Sequence, residues 1–125
     1  MSSYERKAKN ILDRAGIKYI YQSPYIVPWR RFQPDFYFTI WWKKIVVEID
    51  WEYHNTIKAK IYDLIRDINF YYHWIDEVYR LTPKMLKAWK LQQIIKNETI
   101  ENVFWKITLL LFSVTTLLYF IVNIA

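Results

Sequence analysis

Hydrophobic and polar residues follow two different periods along this chain, and the two periods divide it into helices and strands. After the capping-box pattern Ser2-x-x-Glu5, apolar residues recur at helical spacing. The only glycine, Gly16, stands where the left-handed end of that helix needs one. Shorter segments then predict three strands, of which the last two form an antiparallel hairpin: 17–22, 35–41 and 45–50.

The pattern of the second half predicts a helix between two strands. A long helix is expected from about Asn55 to Trp74, with an apolar inner face formed by Ile57, Ile61, Leu64, Ile65, Ile68 and Tyr72. A strand at 77–81 follows, and Thr82-Pro83 then begins a helix that ends near Lys96. Inside it, Leu86, Trp89 and Ile94 are expected to pack inward, and 97–102 reads as a polar connector. The order α-β-β-β-α-β-α predicts an α/β fold with a mixed sheet flanked by helices.

The C-terminal segment 107–125 contains no charged residue. At about 1.5 Å per residue it would span roughly 28 Å, close to the hydrocarbon core of a bilayer. Trp105 and Lys106 precede it, where interfacial anchors are expected. We therefore expect a soluble domain at 1–101 and a transmembrane helix at 102–125, a single-pass tail anchor with the N-terminal domain in the cytoplasm. The same composition also suits a buried oligomerisation helix.

Composition narrows the range of chemistry. The chain has no cysteine, which excludes disulfides and thiolate metal sites, and its two histidines are too few for a histidine-rich zinc site. The net charge of +6 favours a polyanionic partner, although an ordinary basic surface explains it equally well. Aromatic residues make up 20% of the chain, which indicates a core of large rings or rings available for base stacking.

Acidic residues concentrate on the predicted hairpin. In a strand of period two, Glu48 and Asp50 point to one face, while Val47 and Ile49 point to the other. Asp35 lies on the neighbouring strand. Three carboxylates held this close repel one another unless a hard divalent cation neutralises them. This spacing predicts a Mg²⁺ site, whereas the alternative is the solvated face of an edge strand.

These residues form an ordered motif that resembles the PD-(D/E)XK nuclease superfamily, in particular its very-short-patch-repair-like branch. The resemblance covers roughly residues 4 to 86. Two positions depart from the pattern: Trp51 stands where the branch has glycine, and Asp50 stands where the superfamily has lysine. The matching residues are Pro34-Asp35, Glu48-x-Asp50, His54 and Asp63-x-x-Arg66-Asp67.

The resemblance implies a restriction-endonuclease-like core and a DNA endonuclease that depends on Mg²⁺ or Mn²⁺. Asp35, Glu48 and the backbone carbonyl of Ile49 would then hold the metal. Asp50 would be a further ligand or would orient the attacking water. His54 would transfer a proton, since its pKa lies near working pH, or would contact the scissile phosphate.

Several residues have accessory roles under this hypothesis. Glu5 lies on the first helix, where the superfamily often adds an acidic residue, although its capping role explains it as well. Lys58, Lys43, Lys44 and Arg66 are the candidates to replace the missing lysine. The DNA phosphates would contact Arg30, Arg31, Lys43 and Lys44. A homodimer would be needed to cut both strands.

Other interpretations of the same residues stay open. A membrane-tethered protein that keeps the nuclease fold but only binds nucleic acid is the main alternative, and a purely structural tail-anchored protein is another. Asp63, Arg66 and Asp67 would then form no more than an ion pair on the long helix. Core or hairpin packing is the more natural interpretation of Trp41, Trp42 and Trp51 than surfaces for base stacking.

Overall fold

The computed structural model describes residues 1–23, 33–50 and 56–124. The predicted site residues Arg30, Arg31 and His54 lie outside this range, as do Asn55 and Trp51. The described elements are α1 (Ser3–Arg14), β1 (Tyr19–Tyr21), β2 (Phe36–Ile40), β3 (Lys43–Ile49), α2 (Ile57–Tyr72), β4 (Glu77–Leu81), α3 (Pro83–Lys87) and α4 (Lys90–Ile124).

The four strands form one mixed sheet in the order β1-β2-β3-β4. β1 and β3 each pair with β2 in antiparallel fashion, and Phe36 lies opposite Val47 in the hairpin. β4 runs parallel to β3, which the intervening helix α2 makes possible. The predicted α/β fold, with a mixed sheet flanked by helices, is confirmed.

The local signals at the first helix operate as predicted. The Ser2 hydroxyl accepts a hydrogen bond from the Glu5 N–H, and the Glu5 carboxylate accepts one from the Ser2 N–H. At the other end Gly16 has φ +71°, and its N–H donates to the Asp13 carbonyl. The Ile17 N–H donates to the Leu12 carbonyl, so this helix end is a complete Schellman motif.

Each face of the sheet carries its own hydrophobic cluster. Alternate residues of β2 and β3, such as Phe38 and Ile45, contact α1, α3 and the first half of α4 in the main core. Val46 points to the other face and packs with Phe70 of α2. The side chains partly buried around that second cluster are Tyr37, Ile75 and Val78.

The inner face predicted for α2 is wrong. Phe70 is its only buried residue, while the expected inner residues are exposed, from 40% for Ile65 to 80% for Ile57. The sheet beneath α2 explains the difference, because Glu48 and Arg80 occupy it. A helix over that surface presents its own charged residues, Arg66 and Asp67, and its apolar stripe faces outward. The exposed members of that stripe are Ile57, Ile61, Leu64, Ile65, Ile68 and Tyr72.

The polar connector predicted at 97–102 is also absent, because α4 continues through it. The helix break lies earlier, at Trp89, which has φ +62° and is exposed rather than packed inward; Leu86 and Ile94 are buried as predicted. Within 97–102, Glu98 and Asn102 are buried against the sheet. The proposed boundary between 101 and 102 therefore falls inside a continuous helix.

The first half of α4 is fixed to the sheet through a buried acid. Glu98 is 4% exposed, and its Oε1 accepts a hydrogen bond of 2.6 Å from the Tyr79 hydroxyl. Its Oε2 lies 2.9 Å from Lys43 Nζ, which also lies 3.6 Å from Glu77 and 3.7 Å from Glu101. Lys43 is thus the cation that makes burial of Glu98 tolerable.

We expect Lys43→Met to lower the free energy of unfolding by roughly 3 kcal/mol, because Glu98 would stay buried without a compensating charge. Urea unfolding of a chain ending at Lys106 measures this. Lys44→Met is the matched control, since it removes the same charge from the neighbouring residue without touching Glu98. Equal losses in the two variants would show that the Glu98 contact is unimportant.

Candidate functional site

Asp35 and Glu48 lie together at the end of the sheet away from the β2–β3 turn. Continuing the register from the Phe36–Val47 pair by one residue brings Asp35 opposite Glu48, on the face that α2 covers. The Ile49 N–H donates a 2.8 Å hydrogen bond to Asp35 Oδ2, which fixes the carboxylate beside β3. The structure therefore brings the two principal predicted site residues together, with Asp35 immediately before β2 and Glu48 on β3.

Glu48 is the centre of a network of charges. It is buried, and its Oε2 lies 3.3 Å from Arg66 Nη2 and 3.2 Å from Arg80 Nε. Arg66 Nη2 also lies 2.7 Å from Asp63 Oδ1, and Arg80 pairs with Asp67. Acids and arginines thus alternate through five side chains, from Asp63 to Asp67 by way of Glu48.

The elements account for this arrangement. Asp63, Arg66 and Asp67 lie on one side of α2, the side that faces the sheet. Arg80 is the direct partner of Glu48 in the parallel pairing of β3 with β4. The Asp63–Arg66 pair on the helix exists as the structural interpretation expected, but Arg66 extends beyond it to Glu48.

Arg80 is the site residue that sequence reasoning missed. A signal for it exists in the strand Glu77–Leu81, where Arg80 is two residues after Val78 and so shares its face. Val78 pairs with Val46 in the parallel register, which puts Arg80 beside Glu48. Because α2 separates β3 from β4 in the sequence, the contact between Arg80 and Glu48 can be recognised only when the pairing register of these two strands is known.

Burial raises the pKa of both carboxyl groups. It is the main reason that the pKa of Asp35 rises to about 6, opposed by the hydrogen bond from Ile49. Burial likewise raises the pKa of Glu48 to about 7, and the charge of Asp35 adds to the effect. Arg66 and Arg80 lower the pKa of Glu48 without offsetting its burial. Two carboxyl groups that titrate near neutral pH suit a functional site.

Two further predicted acids lie within electrostatic reach of Asp35. The charges of Glu5 and Asp50 both raise the pKa of Asp35. Glu5 keeps its capping contact with Ser2 at the same time. Four carboxylates therefore surround one end of the sheet.

The basic candidates divide clearly by position. Arg66 contacts Glu48, whereas Lys58 is an exposed residue in the first turn of α2. Lys43 and Lys44 begin β3, at the end opposite to Glu48, and Lys43 is paired with acids there. Among these four candidates to replace the motif lysine, Arg66 is the one that the structure brings to the carboxylates.

The donor set fits a magnesium ion with few protein ligands. Within 1–23, 33–50 and 56–124, no three His, Cys, Asp or Glu side chains form a complete metal-binding group. Magnesium, however, commonly takes one or two carboxylates and completes its octahedron with water and phosphate. Asp35 and Glu48 can supply those two, and a cation would offset the cost of keeping the buried Glu48 and the partly buried Asp35 ionised.

The fold and site define a class of protein: a small α/β domain with a mixed four-stranded sheet, a buried acid–arginine cluster at one end and a long apolar C-terminal helix. Comparison with family models, curated proteins and solved structures gives no significant match to this chain. A more specific assignment therefore depends on the residues themselves.

Proposed function

We propose that this chain is a DNA endonuclease of PD-(D/E)XK type that depends on Mg²⁺ or Mn²⁺ and is held at a membrane by its C-terminal helix. The observation that carries the proposal is the pair formed by Asp35 and Glu48 on adjoining segments of the sheet, where Glu48 is buried, Asp35 is partly buried and both carboxyl groups have raised pKa values. The order of the motif residues along the chain, from Pro34 to Asp67, agrees with it.

In this proposal Asp35 and Glu48 hold the cation, and Asp50 stands beside them as a further ligand or as the group that orients water. A bound divalent ion polarises the phosphoryl oxygen and makes water a stronger nucleophile. The Ile49 N–H keeps the Asp35 carboxylate in place. The carbonyl of Ile49 and the side chain of His54 keep the ligand and proton-transfer roles predicted from the motif.

Arg66 is proposed to take the part of the missing lysine. Its Nη2 contacts Glu48, so the guanidinium lies beside the carboxylates that would hold the metal. Its Nε is buried and has no hydrogen-bond partner among the residues that the structure describes. A donor in that state favours an incoming anion, and a phosphate oxygen satisfies a guanidinium well.

The membrane part of the proposal comes from α4. Its second half projects from the domain, and its most apolar window has a mean hydropathy of 2.2 with no residue buried. Such a surface needs lipid or protein to cover it. We propose that it crosses a bilayer, with Lys106 on the cytoplasmic side together with the folded domain.

Nicking of supercoiled plasmid by the purified full-length chain tests the activity. We expect nicked circles with Mg²⁺ or Mn²⁺, and none when EDTA removes the metal. A parallel reaction with single-stranded RNA reports the substrate class. Absence of cleavage under all of these conditions, from a chain that is folded by circular dichroism, would overturn the endonuclease proposal.

A non-catalytic nucleic-acid-binding protein is the second candidate, and one observation favours it. Arg66 and Arg80 already balance the charge of Glu48 without a cation. A protein of this kind should bind DNA in a salt-dependent way but gain no thermal stability from Mg²⁺. The endonuclease should show a rise in melting temperature as Mg²⁺ is added.

A further inference from the structure

The turn between β2 and β3 exposes two tryptophans. Trp41 is 46% exposed and Trp42 is 63% exposed, so neither is packed into the core. Trp41 has φ +59°, a left-handed conformation that glycine or asparagine adopts far more easily. A bulky aromatic ring does not help this turn to form, which indicates that the ring is there for another reason.

The end of α2 brings more aromatic residues to the same edge of the sheet. Trp74 follows the last turn of α2 with φ +59° and is 81% exposed. Its location is fixed by Asp76, whose N–H donates to the Lys44 carbonyl at 2.9 Å and whose Oδ2 accepts from the Lys44 N–H at 2.8 Å. Tyr71 and Tyr72 are exposed in the turn just before Trp74.

Helix α4 leaves the domain at this edge too. Asn102 Nδ2 donates a 3.4 Å hydrogen bond to the Ile40 carbonyl, at the end of β2. One helical turn later, Lys106 Nζ lies 4.3 Å from the centroid of the Trp41 ring, a cation–π contact. Trp105 is half exposed beside it, and the uncharged segment begins at the next residue, Ile107.

We infer that these aromatic residues form a rim that lies in the headgroup region of the same bilayer that α4 enters. Tryptophan and tyrosine prefer that region, because the ring is apolar while its N–H or O–H remains hydrated. The inference depends on the membrane anchor of the proposed function. The rim consists of Trp41, Trp42, Tyr71, Tyr72, Trp74 and Trp105.

The rim residues lie on both faces of the sheet and in the turn between them, and this distribution favours a bilayer as their partner. Trp105 lies on α4, which packs against one face of the sheet, and Trp74 lies next to α2, on the other face. The tryptophans of the turn lie between them. The rim therefore extends from the point where the helix exits, across the end of the sheet, to its other face, and a bilayer around α4 reaches all of it at once.

The orientation that follows has a consequence for the carboxylate site. Asp35 and Glu48 lie at the opposite end of β3 from the turn. At about 3.3 Å per residue, the five steps from Lys43 to Glu48 place the acids roughly 16 Å from the turn along the strand. In this orientation the rim faces the bilayer, and nucleic acid reaches the site from the aqueous side.

Site-directed spin labelling tests this inference directly, since the chain has no cysteine of its own. Single variants Trp42→Cys and Trp74→Cys of the full-length chain are labelled with a nitroxide and reconstituted in phosphatidylcholine vesicles. Trp89→Cys is the matched control, because Trp89 is also exposed and has φ +62°, yet it precedes Lys106 by about 25 Å of helix. Leu118→Cys reports the apolar segment itself.

The readout is the accessibility of each label to oxygen, which concentrates in lipid, and to a water-soluble nickel chelate. We expect the ratio of oxygen to nickel accessibility to be several-fold higher at positions 42 and 74 than at position 89. The highest ratio is expected at position 118. Labels at 42 and 74 that match position 89 would overturn the inference.

The remaining outcomes separate the rim from the anchor. A deep label at position 118 together with aqueous labels at 42 and 74 would leave the anchor in place and remove the rim. An aqueous label at position 118 would remove the anchor and the rim together. Labels at 42 and 74 shielded from both reagents would mean that a second copy covers the rim, which also overturns the inference.

Discussion

Asp35→Asn and Glu48→Gln are each expected to reduce Mg²⁺-dependent DNA cleavage by about a thousandfold or more, because each removes one of the charges that hold and orient the metal. Both substitutions keep the size of the side chain. In Asp35→Asn the amide oxygen can still accept the hydrogen bond from the Ile49 N–H, so the strand geometry should persist. Plasmid nicking under single-turnover conditions measures the loss.

Asp13→Asn is the matched control for these variants. This substitution also replaces a carboxylate by an amide, but in α1, where Asp13 pairs with Lys9 at 2.7 Å on an exposed surface. The cleavage rate of this control should equal that of the wild type. Full activity in Asp35→Asn or Glu48→Gln would remove the site assignment, and similar losses in all three variants would indicate a general effect on folding.

Features governed by near neighbours could be predicted from the sequence. The capping box at Ser2, the helix end at Gly16 and the helix start at Thr82-Pro83 each involve contacts within a few residues. The strand predicted at 77–81 has the same bounds in the structure. In such cases the local residue types determine the backbone conformation, because the contacts that stabilise it do not involve distant parts of the chain.

Features that depend on distant partners could not be predicted. The period of α2 correctly identified an apolar stripe, but only the charged sheet beneath the helix decides which way that stripe faces. The polar residues 97–102 resembled a connector because their partners, Ile40 and Tyr79, are distant in sequence. Buried contacts of this kind turn a polar segment into the middle of a helix.

The candidate site contains both a feature that the sequence could predict and one that depends on a distant partner. The period of two in β3 placed Glu48 and Asp50 on one face, with Asp35 predicted on the neighbouring strand, and the structure brings Asp35 and Glu48 together. Arg80 lies 32 residues from Glu48 in sequence and meets it only through the parallel pairing of β3 with β4. Its position also shows that two arginines share the charge of Glu48, which offsets part of the cost of burying that carboxylate.

The affinity for Mg²⁺ is expected to fall by about a thousandfold when the pH is lowered from about 8 to about 5, because the metal requires both carboxylates ionised. The pKa of Glu48 is about 7 and that of Asp35 about 6. At about pH 5, protonation of Glu48 accounts for about a hundredfold and that of Asp35 for about tenfold. Isothermal titration calorimetry across this range measures the affinity.

The same shifts set the sign of the change in folding stability. Both pKa values are raised above the ordinary values of 3.8 and 4.5, so the folded chain keeps protons that the unfolded chain has already lost. Stability of the metal-free protein should therefore fall as the pH rises from about 4 to about 7, and Mg²⁺ should restore it.

Proton release provides the decisive measurement. Near pH 6.5, titration in two buffers of different ionisation enthalpy should show protons leaving the protein as Mg²⁺ binds. Glu48→Gln should remove most of that release, since its group is the more fully protonated of the two at this pH. Metal binding that is independent of pH and of buffer would mean that the cation binds elsewhere. In that case the acids near Arg66 and Arg80 would serve the fold rather than the reaction.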